Sequence, residues 1–453
     1  MTKSIFIASA EPHCGKSIIA LGLVNMLLGK AQKIGYFKPI INEDVSGKKD
    51  VHIETIMTYF DLPMSYEDTY AFNRQEALHR LENEGQGEMI DIIINKFKKL
   101  EENYDFTVIE GSDFLGDGIA FEFEANVAIA KNLSAPAIIV VSGLGKTTAQ
   151  IVNSVLSLTR SFEHREVQVL AVVANKVNAE QINDVKELLA TQLTKGILLA
   201  VIPMDKSLQS PTMQEIHENL GGKLLFGEGS LSNKVDNFIT GAMQVPNFLN
   251  HVVENVLIVT PGDRGDIIIC ALQANLSTNY PKIAGIVLTA GSEPEEPIIR
   301  LIEGLQTVVP IISVKTGTFQ TTTQLGAIQS KITPDNTKKI ELAINTFERY
   351  VDMQSLEDKI ITFKTEGITP HMFQYQLTKW AKSEKKHIVL PEGNDDRILK
   401  ATARLINQEI VDLTILGDPH EIAASVKRLG LNLDLSKIRI VDPANSDHYQ
   451  DYV

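Results

Sequence analysis

Cysteine is scarce in this chain: Cys14 and Cys270 are the only two in 453 residues. Two cysteines make neither a disulfide framework nor a metal-ligand cluster, which fits a reducing compartment. Positive charge is also short. Lys and Arg number 43 against 57 Asp and Glu, a formal net charge of −14. That balance argues against a general nucleic-acid binder, which needs basic surface, but leaves room for a local basic pocket. No apolar run approaches the ~20 residues of a membrane helix. The first one, Ile5-Phe6-Ile7, is cut off by Glu11, too early for the core of a signal peptide. A cytoplasmic protein with no membrane and no nucleic-acid partner is expected. Internal repeats and low-complexity stretches are lacking too. What remains is ordinary globular composition, 43% hydrophobic and 22% charged, with length for about three domains of roughly 150 residues each.

Short β-branched runs alternate with helical patterns. Strands are expected at Ser4–Ala8, Phe106–Ile109, Ala137–Val141, Val169–Val173 and Ile197–Ile202. Apolar strands separated by amphipathic stretches such as Val185, Leu188, Leu189 and Leu193 indicate a parallel sheet with helices on both faces. The fold class is therefore α/β. Ligands in such sheets sit beyond the carboxyl ends of the strands. A turn-rich patch, Gly221-Gly222-Lys223 and Gly227-Glu228-Gly229-Ser230, reads as a break. A second, smaller α/β series follows, with strands at Val256–Thr260, Ile283–Thr289 and Val308–Lys315 and a closing helix over Lys338–Val351. In the third part Thr369 caps a helix with Pro370 at its first position. The helix Met372–Lys382 precedes strands at His387–Leu390, Leu413–Leu416 and Ile438–Val441. The expected domains are 1–220, 221–352 and 353–453.

The segment Ser9-Ala10-Glu11-Pro12-His13-Cys14-Gly15-Lys16-Ser17 links the first strand to a helical run. This is the setting of a phosphate-binding loop. Gly15 lets the backbone approach a phosphate, and the N–H groups of the new helix point at the anion. Lys16 reaches outer phosphates and the Ser17 hydroxyl takes Mg²⁺. The standard motif has a glycine where this chain has Ala10. Lys38-Pro39 ends the second strand, Gly35-Tyr36-Phe37, and its ammonium is placed to reach the same phosphates. Glu110-Gly111 follows a strand, where a carboxylate can hold Mg²⁺, a hard cation that prefers oxygen. Asp50 starts a helical run and is a second magnesium candidate. Asn175-Lys176 follows the strand Val169–Val173, where the amide can read a base edge. His13 and Cys14 are not expected to act as a catalytic pair, since no third group orients them.

Together Gly15-Lys16-Ser17, Lys38-Pro39, Asp50, Glu110-Gly111 and Asn175-Lys176 resemble dethiobiotin synthetase and its P-loop relatives over roughly residues 1–215. That resemblance implies a nucleotide, with Mg²⁺, in the first domain. In the second domain, Asp263-Arg264-Gly265-Asp266 resembles the DRTGG motif of a small regulatory family, with Asp266 in place of the second glycine. A plain turn is the competing reading.

Residues 369–443 include Lys386-His387-Ile388-Val389-Leu390-Pro391-Glu392-Gly393-Asn394-Asp395-Asp396-Arg397, Ile415-Leu416-Gly417-Asp418-Pro419 and Ile440-Val441-Asp442-Pro443. They resemble the opening of a phosphate acetyl/butyryl transferase domain. The three-domain order is similar to that of long bacterial phosphate acetyltransferases. It implies acetyl transfer between coenzyme A and phosphate by a homo-oligomer, with no covalent intermediate and no structural metal. It also implies that the aspartate, arginine and serine of that chemistry lie in later segments. No residue here is assigned a catalytic role, and the 453-residue chain alone is expected to be inactive. Glu392 and Arg397 are candidate cleft-lining residues, Glu392 alternatively capping the next helix. Two other readings are carried: a regulatory module that senses a nucleotide or metabolite, and an ATP-dependent ligase resembling dethiobiotin synthetase.

Overall fold

The computed structural model describes residues 4–9, 11–31, 33–42, 49–83, 85–112, 119–363 and 367–445. Ala10, the departure from the standard loop motif, lies outside them. The chain forms two units, one of residues 1–83, 96–131 and 135–365, the other of 84–95, 132–134 and 366–453. Among the described residues no helix is long and apolar enough to cross a membrane.

The first unit holds a two-stranded ladder, Ile40–Ile41 with Phe72–Asn73, and two larger sheets. Its six-stranded sheet contains β1 (Ser4–Ser9), β2 (Ile34–Phe37), β3 (Phe106–Glu110), β4 (Ala137–Ser142), β5 (Val169–Val177) and β6 (Leu198–Pro203). All pairings are parallel, in the order β2-β3-β1-β4-β5-β6. The central strands are buried along their whole length, as mostly apolar strands between helical layers are. Ile7 is level with Glu110, and Phe37 with Ile109. The carboxyl ends of β1, β2 and β3 therefore fall side by side. Helix α1 (Lys16–Leu28) leaves the end of β1, and α2 (Val51–Tyr59) follows β2. Strand β5 runs four residues further than the apolar run suggests, so Asn175 lies within it rather than after it.

The second sheet corrects the expected break. Lys223–Phe226 is β7, an antiparallel edge strand, and Asn237–Thr240 is β8 at the opposite edge. Between them lie β9 (Val256–Pro261), β10 (Ile283–Thr289) and β11 (Ile311–Ser313), in the order β8-β9-β10-β11-β7. The last of these is shorter than the expected Val308–Lys315. Helix α3 (Met213–Leu220), inside the expected first domain, instead packs Met213 and Ile216 into this second core.

A further correction concerns the closing helix. Thr337–Tyr350, here α5, and α6 (Met353–Thr362) do not complete the second core. Ile340, Ala343, Ile344, Phe347, Leu356 and Ile360 join the core of the six-stranded sheet. The Phe347 ring lies on the α1 backbone at Gly22, where a Cβ would come within 2.1 Å of its Cγ. A polar knot marks where the chain leaves the first sheet and returns to it. Ser210 O accepts from Lys339 Nζ at 3.1 Å and from Ser330 Oγ at 3.2 Å, while Glu215 accepts from Lys331 N at 2.8 Å.

In the second unit, α7 (Pro370–Ser383) begins at the Thr369 cap, whose hydroxyl accepts from Met372 N. Three parallel strands follow in order: β12 (His387–Leu390), β13 (Asp412–Leu416) and β14 (Arg439–Val441). Helices α8 (Asp396–Asn407) and α9 (Pro419–Arg428) supply Leu399, Ile406, Ile422 and Val426 to their core.

Candidate functional site: the loop after the first strand

Gly15 is the residue before α1 and adopts φ 96°. Only glycine takes that conformation readily. A Cβ would also strike the Asn175 amide at 2.1 Å. The loop rests on fixed partners. Asn175 Nδ2 donates to Cys14 O at 2.9 Å, and Lys176 Nζ donates to His13 O at 2.6 Å. Glu11 accepts from Ser142 N at 2.8 Å and pairs with Lys146 at 2.7 Å. Burial pulls the Lys176 ammonium below its ordinary range, with Cys14 and Glu11 acting the other way. The Asn175 amide, expected to read a base, thus supports the loop backbone.

The other expected residues converge beneath the loop. Lys16 is buried and its ammonium donates to Gly111 O. Lys38 pairs with Asp50 at 2.8 Å, both buried. Asp50 also caps α2: its Oδ1 accepts from His52 N at 3.0 Å and Ile53 N at 3.3 Å. Glu110 is fully buried. Its Oε1 lies 2.7 Å from His52 Nδ1, and its Oε2 accepts from the Tyr36 hydroxyl. A carboxylate only accepts, so Nδ1 carries the proton. His52 Nε2 then faces Ser17 Oγ at 3.1 Å. Burial by itself pushes the Glu110 carboxyl up; the charges of His52, Lys38 and Lys16 hold it far below the usual range. Asp50 is likewise lowered, its burial outweighed by Lys38 and His52.

Sequence reasoning missed His52 and Tyr36. A lone histidine two residues after a capping aspartate carries no motif. Its place in the first turn of a helix that begins beside β3 was the available signal. The two carboxylates expected to hold Mg²⁺ are engaged by protein donors on both oxygens. Among the described residues, no group of three or more His, Cys, Asp or Glu is arranged for a metal ion.

The turn at Asp263-Arg264-Gly265 leads into α4 (Gly265–Leu276). Arg264 grips Asp266 bidentately at 2.8 and 2.9 Å and donates to Met243 O at 3.0 Å. These bonds tie the turn to the 241–243 loop and hold the Asp266 carboxyl below its ordinary range. Gly262 passes so close to Ser292 O that a Cβ would lie 1.9 Å from it. In the second unit the cap of α8 is Asp395, not Glu392. Asp395 accepts from Arg397 N at 2.7 Å and from its guanidinium at 2.9 and 3.1 Å. Those hydrogen bonds hold its pKa at about 2. Arg397, a candidate for lining the cleft, remains exposed and paired with Asp395.

Comparison with known proteins matches three families in sequence: an AAA domain over residues 3–212, a DRTGG domain over 215–328, and phosphate acetyl/butaryl transferase over 372–453. A phosphate acetyltransferase of Nitratidesulfovibrio vulgaris is 38% identical across 100% of this chain, and one of Synechocystis sp. is 37% identical across 100%. The chain spans 65% of the length of each. Two solved structures resemble parts of it at low scores. An ATP complex of a Cyanothece McdA variant is 18% identical, with TM-score 0.30, covering 46% of this chain and 85% of its own. The CBS and DRTGG regulatory region of Clostridium perfringens pyrophosphatase is 20% identical, with TM-score 0.23, covering 29% and 50%.

Proposed function

We propose that this chain belongs with the long phosphate acetyltransferases and is the regulatory and opening catalytic part of such an enzyme. One observation carries the reading: two phosphate acetyltransferases are 38% and 37% identical across 100% of this chain, through all three matched domains. The reaction moves an acetyl group between coenzyme A sulfur and a phosphate oxygen. A thiolate attacks the carbonyl of acetyl phosphate, the C–O bond breaks and phosphate leaves. Such a reaction needs a base for the thiol and donors for the developing oxyanion.

In this reading neither role is assigned to the residues from 367 to 445. Their three-stranded sheet is open, with Ile388 and Val389 of the edge strand β12 exposed by 40% and 54%. A stripe of Phe373, Leu377 and Trp380 on α7 is exposed too. Apolar surface of this kind is ordinarily covered by further protein. The 453-residue chain is therefore expected to make no acetyl phosphate from acetyl-CoA and phosphate, whereas a chain of the relatives' full length does. CoA-dependent acetyl phosphate formation by the purified 453-residue chain would overturn this part. The setting is the cytoplasm and the assembly a homo-oligomer, which sedimentation of the longer chain measures.

The first domain, in this reading, binds a nucleotide as an effector. The loop 11–17, the start of α1 and Lys16 are the phosphate contacts, with Lys16 exchanging Gly111 O for a phosphate oxygen. A charged hydrogen bond contributes about 1.5–3 kcal/mol. Lys16→Ala is therefore expected to weaken ATP binding by roughly 10- to 100-fold in calorimetry. Equal binding by both proteins would refute the assignment. The ligase alternative leaves residues 372–453 without a role.

A further inference from the structure

We infer that the phosphate loop of the first domain takes its anion without a divalent metal, because His52 fills the place between Ser17 and Glu110 that the metal would bridge. This rests on the nucleotide reading above. In a P-loop the Ser hydroxyl and a strand-end carboxylate are the protein's contributions to the metal. Here the two groups are joined through one imidazole, at 3.1 Å to Ser17 Oγ and 2.7 Å to Glu110 Oε1.

The ring is not a loose occupant. His52 lies in the first turn of α2, and its backbone N–H is fixed by the Asp50 cap at 3.0 Å. Moving the imidazole out means breaking its bond to a fully buried carboxylate. The other Glu110 oxygen is taken by Tyr36, and both oxygens of Asp50 are taken by Lys38 and the α2 backbone. Magnesium asks for six oxygens in near-octahedral order and normally keeps several waters. The cavity beside these groups, lined by Ser17, His52, Thr55 and Glu110 and otherwise by the apolar Ala20, Leu21, Ile56 and Ile332, measures about 10 Å³. A single water needs at least that much. Protein cations already balance the carboxylates: Lys16 and Lys38 are buried beside them. The ligand class is therefore a phosphate-bearing anion presented bare, with Lys16 supplying the charge that a metal brings elsewhere.

The test is calorimetric titration of the 453-residue chain with ATP, in magnesium and in EDTA. Affinities within about twofold of each other are expected for the natural chain. His52→Ala leaves Ser17 and Glu110 facing an open gap and is expected to make binding stronger in magnesium by tenfold or more. A tenfold loss of affinity in EDTA for the natural chain would overturn the inference. So would a His52→Ala variant that stays indifferent to magnesium. If ATP binds in neither buffer, the nucleotide reading fails separately. Mn²⁺ uptake followed by electron paramagnetic resonance then decides this point. Uptake by His52→Ala but not by the natural chain supports it. Uptake by the natural chain that Glu110→Gln abolishes overturns it, as does a lack of uptake by both the natural chain and His52→Ala.

Discussion

Replacing Phe347 by Ala tests how firmly α5 holds α1, the helix that starts at the phosphate loop. The ring is fully buried against Gly22, in one core with Ile19, Leu23, Ile340 and Ile344. Burying a Phe side chain contributes about 1.5–3 kcal/mol by transfer alone. The void left by truncation adds to this, because neighbours in a close-packed core relax only in part. A total near 3–5 kcal/mol follows. The loss falls on the docking of α5, since Phe347 is its largest fully buried side chain in that core. Opening of this region should then become roughly 10²- to 4 × 10³-fold more frequent, at about 1.4 kcal/mol per tenfold. Hydrogen exchange of the α1 amides from Leu21 to Val24 measures it directly. Exchange rates within about threefold of the natural chain would refute the reasoning and show that α5 rests on α1 without holding it.

Two further predictions concern the loop. Gly15→Ala puts a Cβ into the Asn175 amide and forces φ 96° on a residue that avoids it; a cost of about 1–3 kcal/mol should appear as a lowered Tm together with loss of ATP binding. Glu110 and Asp50 have carboxyls held below their unfolded values, so the unfolded chain binds more protons in acid. The stability they contribute is present above the unfolded value of about 4–4.5 and lost as pH falls through the lower folded values. Glu110→Gln should therefore flatten the fall in stability below about pH 5, as followed by urea unfolding at several pH values. An equally steep fall in the variant would count against the role of Glu110.

The sheets were legible where strands are buried on both faces. Phe106–Ile109 and Ala137–Val141 read as strands because no charged residue interrupts these short, mostly β-branched and apolar runs. Lys223–Phe226 did not. An edge strand of one exposed and three partly buried residues between glycines has the composition of a turn, and only its pairing with Ile311–Ser313 makes it a strand. The helix at 337–350 was legible as a helix, but not by destination. Ile340, Ala343, Ile344 and Phe347 form an apolar stripe, and a stripe does not name the core it faces. At the site, Gly15, Lys16, Lys38, Asp50 and Glu110 could be gathered because each follows a strand or opens a helix in a parallel sheet. Their partners could not be gathered. Whether Glu110 faces a metal or a histidine depends on where α2 begins, which no residue spacing reports.

The return of α5 to the first sheet also has a consequence in time. The core around Ile19 and Leu23 is closed by residues more than 300 positions downstream. A ribosome that has finished β6 at Pro203 has still to add the second sheet before it reaches Thr337. At about 5–20 residues per second that interval is roughly 7–27 s. For that period the nascent phosphate-loop sheet presents the apolar face that Phe347, Val351 and Leu356 later cover. This domain, though made first, is completed late.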